Sequence, residues 1–548
     1  MTKSIIKINK VDGEAYYIML TFANEKWKWL KKIVSVSFYI AFFCLMVIVI
    51  FEKKNLHIDE VYTYILSNNT YTDGFNIDPV SGQRYDRAEE PWLQVMTPQK
   101  GSGQFNYANV WKKQGEDVHP PLYYALVHTV CSFFPGTYSP WFAASVNMLF
   151  ALLTLCMVRR LTFELTHDES SIFFVSCFFI ASAGVLSSVS FFRMYVMTMF
   201  CVTLVSWLFL RAREERTPRF YLEIVLASIL GALTHYYFII WLFFITLFFG
   251  IYLLISHKWK DACLLVAAMA VSGGISILIF PKMLDHIFGN GYRGQQSFTN
   301  FYDSSGESYR DRLRDFYRIL DGQLFGGLFV KAIGLGLLVA LFILIIKRKG
   351  ISRKEFREKV FPYVMIGGPC ILYFLLVSKI AVYIVDRYFH PIYPILIVLT
   401  VSFLSQVARK ITFRKLACVA LCFLLLVLTL KEWRLNRPYL YKHSRELLNQ
   451  AVEHADLDCI LIYSTTGEVN LAFYEVRNYN SSMFFQKEDI YKLSDIEFDS
   501  SRGFIAIIAN SCNMEETLEF FLETFPDINA EEYLGSFINT TSYYLYVQ

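Results

Sequence analysis

The run IVSVSFYIAFFCLMVIVIFEKKNLHIDEVYTY (33–64) decides how the rest of the chain is read. A membrane-spanning helix needs about 20 apolar residues, and 33–51 supplies them without a single charge. Mixed polar residues precede the run and no small-residue cleavage site follows it, so it reads as a retained anchor rather than a signal peptide. Just past its end stand two adjacent acids, Asp59 and Glu60, among Ile58, Val61, Tyr62 and Tyr64. A carboxylate at a membrane exit is partly desolvated, which raises its pKa toward the range of a general base. The competing reading is a helix cap, because Asp59 precedes EVYTYILSNN and Asp is a good N-cap residue.

The composition places the anchor in a wholly membrane-embedded chain. Of 548 residues, 55% are hydrophobic, 17% aromatic and 18% charged, against about 25% charged in soluble proteins. A net charge of +4, without a basic stripe or glycine-rich phosphate loop, gives no support for a nucleic-acid partner. The 11 cysteines lie mostly within apolar runs and form no CxxC pair, so they signal neither zinc nor a disulfide framework.

Eleven apolar segments are long enough to predict spans: 33–51, 140–158, 170–188, 194–210, 220–236, 238–256, 262–280, 326–346, 360–378, 391–408 and 416–431. Lys and Arg concentrate in alternate connections: before the first span (Lys26, Lys28, Lys31, Lys32), then at Arg159–Arg160, Arg211–Arg219, Lys258–Lys260, 347–359 and 408–415. The positive-inside rule then predicts a cytoplasmic N-terminal segment (1–32), a transmembrane domain (33–431) and an extracytoplasmic tail (432–548). On the outer side fall the loops 52–139 and 281–325, the turn SFFRMY (190–195) and the connection VYIVDRYFHPIYP (382–394).

Inside the first loop, HPPLYYALVHTVCSFFPG (119–136) is apolar but short and reads as a helix lying in the interface, with Pro120 and Pro121 suited to its first turn. The tail is predicted to be a small α/β domain of 117 residues. Its expected strands are 456–464 and 502–510, and its expected helix is 514–525, with Leu518, Phe521, Leu522 and Phe525 on one face. No internal repeat is evident, which argues against inverted-repeat transporters.

The acid pair at the membrane exit, HPPLYYALVH, and RMY opening the fourth span occur in the order found in polyprenyl-phosphate-sugar-dependent glycosyltransferases of the GT-C fold. The chain resembles in particular glycosyltransferase family 39, which includes protein O-mannosyltransferases and the aminoarabinose transferase of lipid A. The resemblance covers about 33–400 and leaves the tail outside. It implies a donor sugar on a polyprenyl phosphate, transferred with inversion to an envelope glycan, lipid or protein on the outer face.

By the same resemblance Asp59 is the expected general base, and Glu60 positions the acceptor or Asp59. His119, Tyr123 and Tyr124 would line the sugar pocket, with tyrosine rings supplying stacking area. Arg193, at a span edge where a charge needs a partner or solvent, would contact phosphate or a carboxylate beside Tyr195. The family's acid or glutamine shortly before this arginine is absent from VSFFRMY, so no second acid is expected there. Arg387 and Tyr388 would bind the carrier phosphate, with Asp386 neutralising Arg387. His235 stands either in the site or in an aromatic belt with Tyr236 and Tyr237. In the long loop, Arg293 would sit on a glycine-flanked tip of a lid. The acids are not clustered as a metal site requires, so no metal or other cofactor is expected. The rival readings are a lipid-linked-sugar flippase or transporter, which predicts charges midway through spans, and a non-catalytic membrane scaffold.

Overall fold

A computed structural model describes residues 10–87, 89–289, 292–303, 306–347, 356–435, 439–496 and 498–548. Most of the basic connection expected at 347–359 lies outside them. Among the described residues, seven helices are long and apolar enough to cross a bilayer: Lys32–Phe51, Pro140–Thr166, Tyr236–Ile255, Trp259–Ile279, Glu358–Ile380, His390–Arg409 and Arg414–Arg434. Two further helix pairs are apolar and long enough only when taken together across a break: Glu169–Ala181 with Ala183–Ser190, bent by 50°, and Ser308–Phe325 with Phe329–Leu341, bent by 73°. The chain is an integral membrane protein.

Each of the eleven expected segments is helical, but two fall short as spans. Tyr195–Arg211 has 17 residues and Pro218–Ala232 has 15. At 1.5 Å per residue they reach about 25 and 22 Å, less than the roughly 30 Å hydrocarbon core. The 281–325 segment also differs from expectation. It is mostly helical, as Lys282–Phe288, Tyr292–Tyr302 and Gly306–Phe325.

In two of the basic connections Arg216 pairs with Asp261 at 2.7 Å, and Arg409 pairs with Asp168. The first loop carries the helix Ile58–Asn68 and the short helix Leu122–Ser132. The latter, at about 17 Å, is too short to cross.

Beyond the bundle lies a six-stranded sheet in the order β1-β3-β2-β4-β6-β5. Its strands are β1 Arg84–Asp86, β2 Cys459–Tyr463, β3 Ser481–Gln486, β4 Phe504–Ala509, β5 Ala530–Ser536 and β6 Thr540–Tyr546. Strands β3, β2 and β4 are parallel. CILIY and FIAIIA are buried at every position, as parallel strands covered on both faces must be. The expected strands and the helix Met514–Thr524 are present.

The sheet is not built from the tail alone. Edge strand β1 comes from the first loop and pairs antiparallel with β3. The same loop packs Trp92 against Phe473, with centroids 6.2 Å apart. It also places the Ile77 N–H on Asn470 Oδ1 at 2.8 Å and accepts the Ser482 hydroxyl on Glu90 at 2.9 Å. First loop and tail therefore share one core.

Candidate active site

The helix Ile58–Asn68 begins with a capping box. His57 Nδ1 accepts the Asp59 N–H at 3.1 Å, and Glu60 accepts the His57 N–H at 2.6 Å. Burial pushes the His57 imidazole down to about 4, so it is neutral and free to accept. The box turns the two acids in different directions. Asp59 keeps a quarter of its side chain exposed, whereas Glu60 is fully buried.

Glu60 is consumed by structure. Besides His57 it accepts the Phe192 N–H at 2.8 Å and the Lys53 ammonium at 2.9 Å. Burial pushes the Glu60 carboxyl up and the Lys53 ammonium down, each against the opposing pull of the other. Of the two positioning roles expected for Glu60, toward the acceptor or toward Asp59, its bonds serve the helix start that carries Asp59.

Asp59 meets Arg387, whose Nη2 lies 3.2 Å from Oδ2. Arg193 reaches the same residue from the other side, with Nη1 donating to the Asp59 carbonyl at 3.1 Å. The expected upward shift of the Asp59 carboxyl is not found. Burial does push it up, but Arg193 and then Arg387 outweigh burial and leave it below the ordinary range. Asp59 is thus ionised, with its carboxylate against the Arg387 guanidinium and its carbonyl against that of Arg193.

Arg193 is 4% exposed. Its Nη2 lies 3.4 and 3.5 Å from the two ring nitrogens of His119. Near-equal distances place it over the ring rather than in line with either nitrogen. Its guanidinium also covers the Tyr124 ring at 5.5 Å. Next to His119 lies His235, with ring centroids 5.9 Å apart, and His235 stands 5.2 Å from Tyr195. Tyr388 packs on Tyr237 at 5.2 Å. The structure thus brings Asp59, His119, Arg193, Tyr195, His235, Arg387 and Tyr388 into one continuous cluster.

Other sequence expectations are corrected. Tyr123 and Tyr124 are both fully buried, so neither lines a pocket. Tyr123 gives its hydroxyl to Asn147 at 2.9 Å, and Tyr124 is the floor beneath Arg193. Arg293 sits on the helix Tyr292–Tyr302 rather than on a loop tip, and it donates to the Tyr383 hydroxyl at 2.9 Å. Asp386 accepts the Tyr439 hydroxyl at 2.6 Å and a Gln323 N–H at 3.1 Å, and it lies 3.4 Å from His390. It anchors the Asp386–Tyr388 turn instead of neutralising Arg387 directly.

Four contributors escaped the sequence reading. Lys53 stands in EKK (52–54) just past the first span, where nothing in the sequence marks its pairing with Glu60. Asn147 lies inside a span, where its two N–H bonds to the Val189 and Phe191 carbonyls (3.0 and 2.8 Å) are invisible from sequence. Tyr439 comes from the tail and stacks on Phe191 at 4.0 Å. Asp117, 2.8 Å from His119 Nδ1, had a readable signal, since it stands two residues before the His-Pro-Pro motif. Among the described residues no group of three or more His, Cys, Asp or Glu side chains is placed to hold a metal ion.

The EpsG family model matches residues 99–443, which include Asp117, His119, Arg193, Arg387 and Tyr439. The chain belongs to the EpsG family. The acid pair at 59–60 precedes the matched segment. Among curated proteins no sequence matches this EpsG-family chain. Among solved structures it is similar to the crystal structure of ArnT from Cupriavidus metallidurans bound to undecaprenyl phosphate. The identity is 12%, the TM-score is 0.52, and the match covers 93% of this chain and 97% of the ArnT chain. At that identity the likeness is one of fold, and the fold is the GT-C fold expected from the sequence. It also reaches further than the sequence resemblance. A match over 93% of 548 residues leaves about 38 outside, fewer than the tail contains, so most of the tail lies within the shared architecture.

Proposed function

We propose that this EpsG-family protein is a membrane glycosyltransferase that moves a sugar from a polyprenyl phosphate to an envelope glycan, lipid or protein on the extracytoplasmic face. The observation that carries this reading is the meeting of Asp59, at the membrane exit of the first span, with Arg193 and Arg387 from distant connections. A phosphate leaving group needs fixed cationic partners, and two guanidiniums supply them. An ionised carboxylate beside them can take the proton of the attacking hydroxyl while the bond from the anomeric carbon to the phosphate oxygen breaks. One base and direct displacement imply inversion. The ArnT structure holds undecaprenyl phosphate, which supports a lipid phosphate as the carrier here. The alternation of basic connections supports a cytoplasmic N-terminal segment and an external site and tail.

The test uses membrane vesicles supplied with radiolabelled polyprenyl-phosphate sugars. Wild type should label an envelope acceptor. Asp59→Asn should lower transfer by about 10²–10⁴-fold, the usual contribution of a positioned base. Absence of label with wild type defeats the enzyme reading, and undiminished transfer by Asp59→Asn defeats the assignment of the base.

A further inference from the structure

We propose that Asp117 and His119 form the subsite for the donor sugar, and that Asp117 restricts the donor to sugars without a carboxylate. The inference rests on the glycosyltransferase reading and adds a substrate class to it.

The starting point is a local conflict. Asp117 caps the C-terminal end of the helix Tyr107–Glu116, its N–H donating to the Lys113 carbonyl at 3.0 Å. The end of a helix carries partial negative charge and favours a cation. An acid there is locally unfavourable, and such conflicts concentrate at functional positions. Two neighbours compensate it. His119 Nδ1 lies 2.8 Å from Oδ2, and Arg193 sits over the His119 ring. Burial alone would push the Asp117 carboxyl up, yet His119 and Arg193 hold it below its usual range.

Position supports the role. Arg193 divides the site, with Nη1 directed to Asp59 and Nη2 to His119. The Asp59–Arg387 pair lies on one side, where phosphate and base belong. The Asp117–His119 pair lies on the other. Asp117 and His119 are about a fifth exposed, among neighbours such as Arg193, Tyr195 and His235 that are almost fully buried. A carboxylate accepts sugar hydroxyls and the imidazole offers a further partner, while the almost fully buried rings of His235 and Tyr195 form the wall behind them.

Charge then sets the class. Asp59 and Asp117 already balance Arg193 and Arg387. The donor phosphate adds one negative charge. A uronic acid would add a second, directed at Asp117, whose neighbouring guanidinium, Arg193, is already engaged by the Asp59 carbonyl and His119. Like charges brought together discriminate against a wrong partner, here by at least about tenfold.

The experiment uses the full chain in lipid nanodiscs and three synthetic probes on one carrier: polyprenyl phosphate, polyprenyl-phosphate glucose and polyprenyl-phosphate glucuronic acid. Wild type should bind the glucose probe at least about tenfold tighter than the glucuronic acid probe. Asp117→Asn should bring the two within about threefold, chiefly by tightening the acidic probe, while Asp117→Glu should keep the preference. Equal binding of both sugars by wild type, or a parallel loss with Asp117→Asn, overturns the subsite. If the sugarless lipid phosphate binds and the sugars are not distinguished, only the subsite fails. If none of the three probes binds, the glycosyltransferase reading itself fails.

Discussion

Replacing Glu60 with Gln tests whether the buried pair behind the site is ionic. Gln keeps the volume and one carbonyl oxygen, so the Phe192 N–H at 2.8 Å still has an acceptor. What changes is the other oxygen, where an NH2 now faces the Lys53 ammonium and the His57 N–H. The Lys53 ammonium is 2.9 Å from Glu60, and the two side chains are 4% and 0% exposed. Its remaining surroundings are the Tyr439 carbonyl and the faces of Phe192 and Tyr441 at 5.1 and 5.4 Å. None of these carries a full negative charge. Removing one partner of a buried ion pair costs about 3–5 kcal/mol, and exposure is too low for solvent screening to reduce it. Replacing both partners by apolar groups of similar size is often neutral. Glu60→Gln should therefore lose about 3–5 kcal/mol in unfolding titrations with a denaturing detergent, and Lys53→Met combined with Glu60→Gln should regain the part due to the stranded ammonium, leaving about 1–3 kcal/mol for the His57 N–H that has lost its acceptor. A loss below about 1 kcal/mol, typical of a neutral hydrogen bond, would refute the reasoning. It would mean that burial has moved the proton from lysine to glutamate.

Arg387→Lys should weaken donor binding by at least about tenfold, because a flexible point charge does not replace a planar fork facing phosphate; titration of a lipid-phosphate probe checks this. Tyr439→Phe keeps the stack on Phe191 but removes the hydrogen bond to Asp386, so stability should fall by about 1.5–3 kcal/mol in the same detergent titrations. Burial pushes Glu90 up to about 9 and Glu475 up to about 7, from an ordinary 4.5. The folded chain keeps these protons where the unfolded chain has released them, so their contribution is complete below pH 4.5 and is lost as pH rises through 7 and then 9. The thermal midpoint should fall between pH 5 and 9, and Glu475→Gln should flatten the lower part of that fall; a midpoint that rises with pH would contradict both assignments.

The membrane helices were legible because lipid imposes one rule on a whole segment, and Ile33–Phe51 obeys it without reference to any other part of the chain. Tyr195–Arg211 and Pro218–Ala232 were read as spans for the same reason. Composition reports apolarity, but not the turn at 190–194 that precedes the first helix or the turn at 233–235 that ends the second at Ala232. Asp59, Arg193 and Arg387 were legible as charges where charge is costly. Their partners were not. Glu60 and Asp59 are adjacent and chemically alike, and only the capping geometry sends one inward to Lys53 and the other outward to Arg387. Strand β1 has three residues, and its partner lies almost four hundred positions away, so no periodicity announces it.

The turn that carries Arg193 shows why the site needs so many distant segments. The helix Ala183–Ser190 stops and the next begins at Tyr195, leaving backbone groups unpaired where little water reaches. Non-helical backbone at such depth persists only where protein satisfies it. Glu60 takes the Phe192 N–H, and Asn147 takes the carbonyls of Val189 and Phe191. Asn147 is in turn oriented by the Tyr123 hydroxyl, and Phe191 is covered by Tyr439. The break places a guanidinium at the Asp59 carbonyl, a position that an unbroken helix could not offer without burying the charge against lipid. Glu60, Tyr123 and Tyr439 thus act on the chemistry through Arg193: they fix the turn, and the turn fixes the cation.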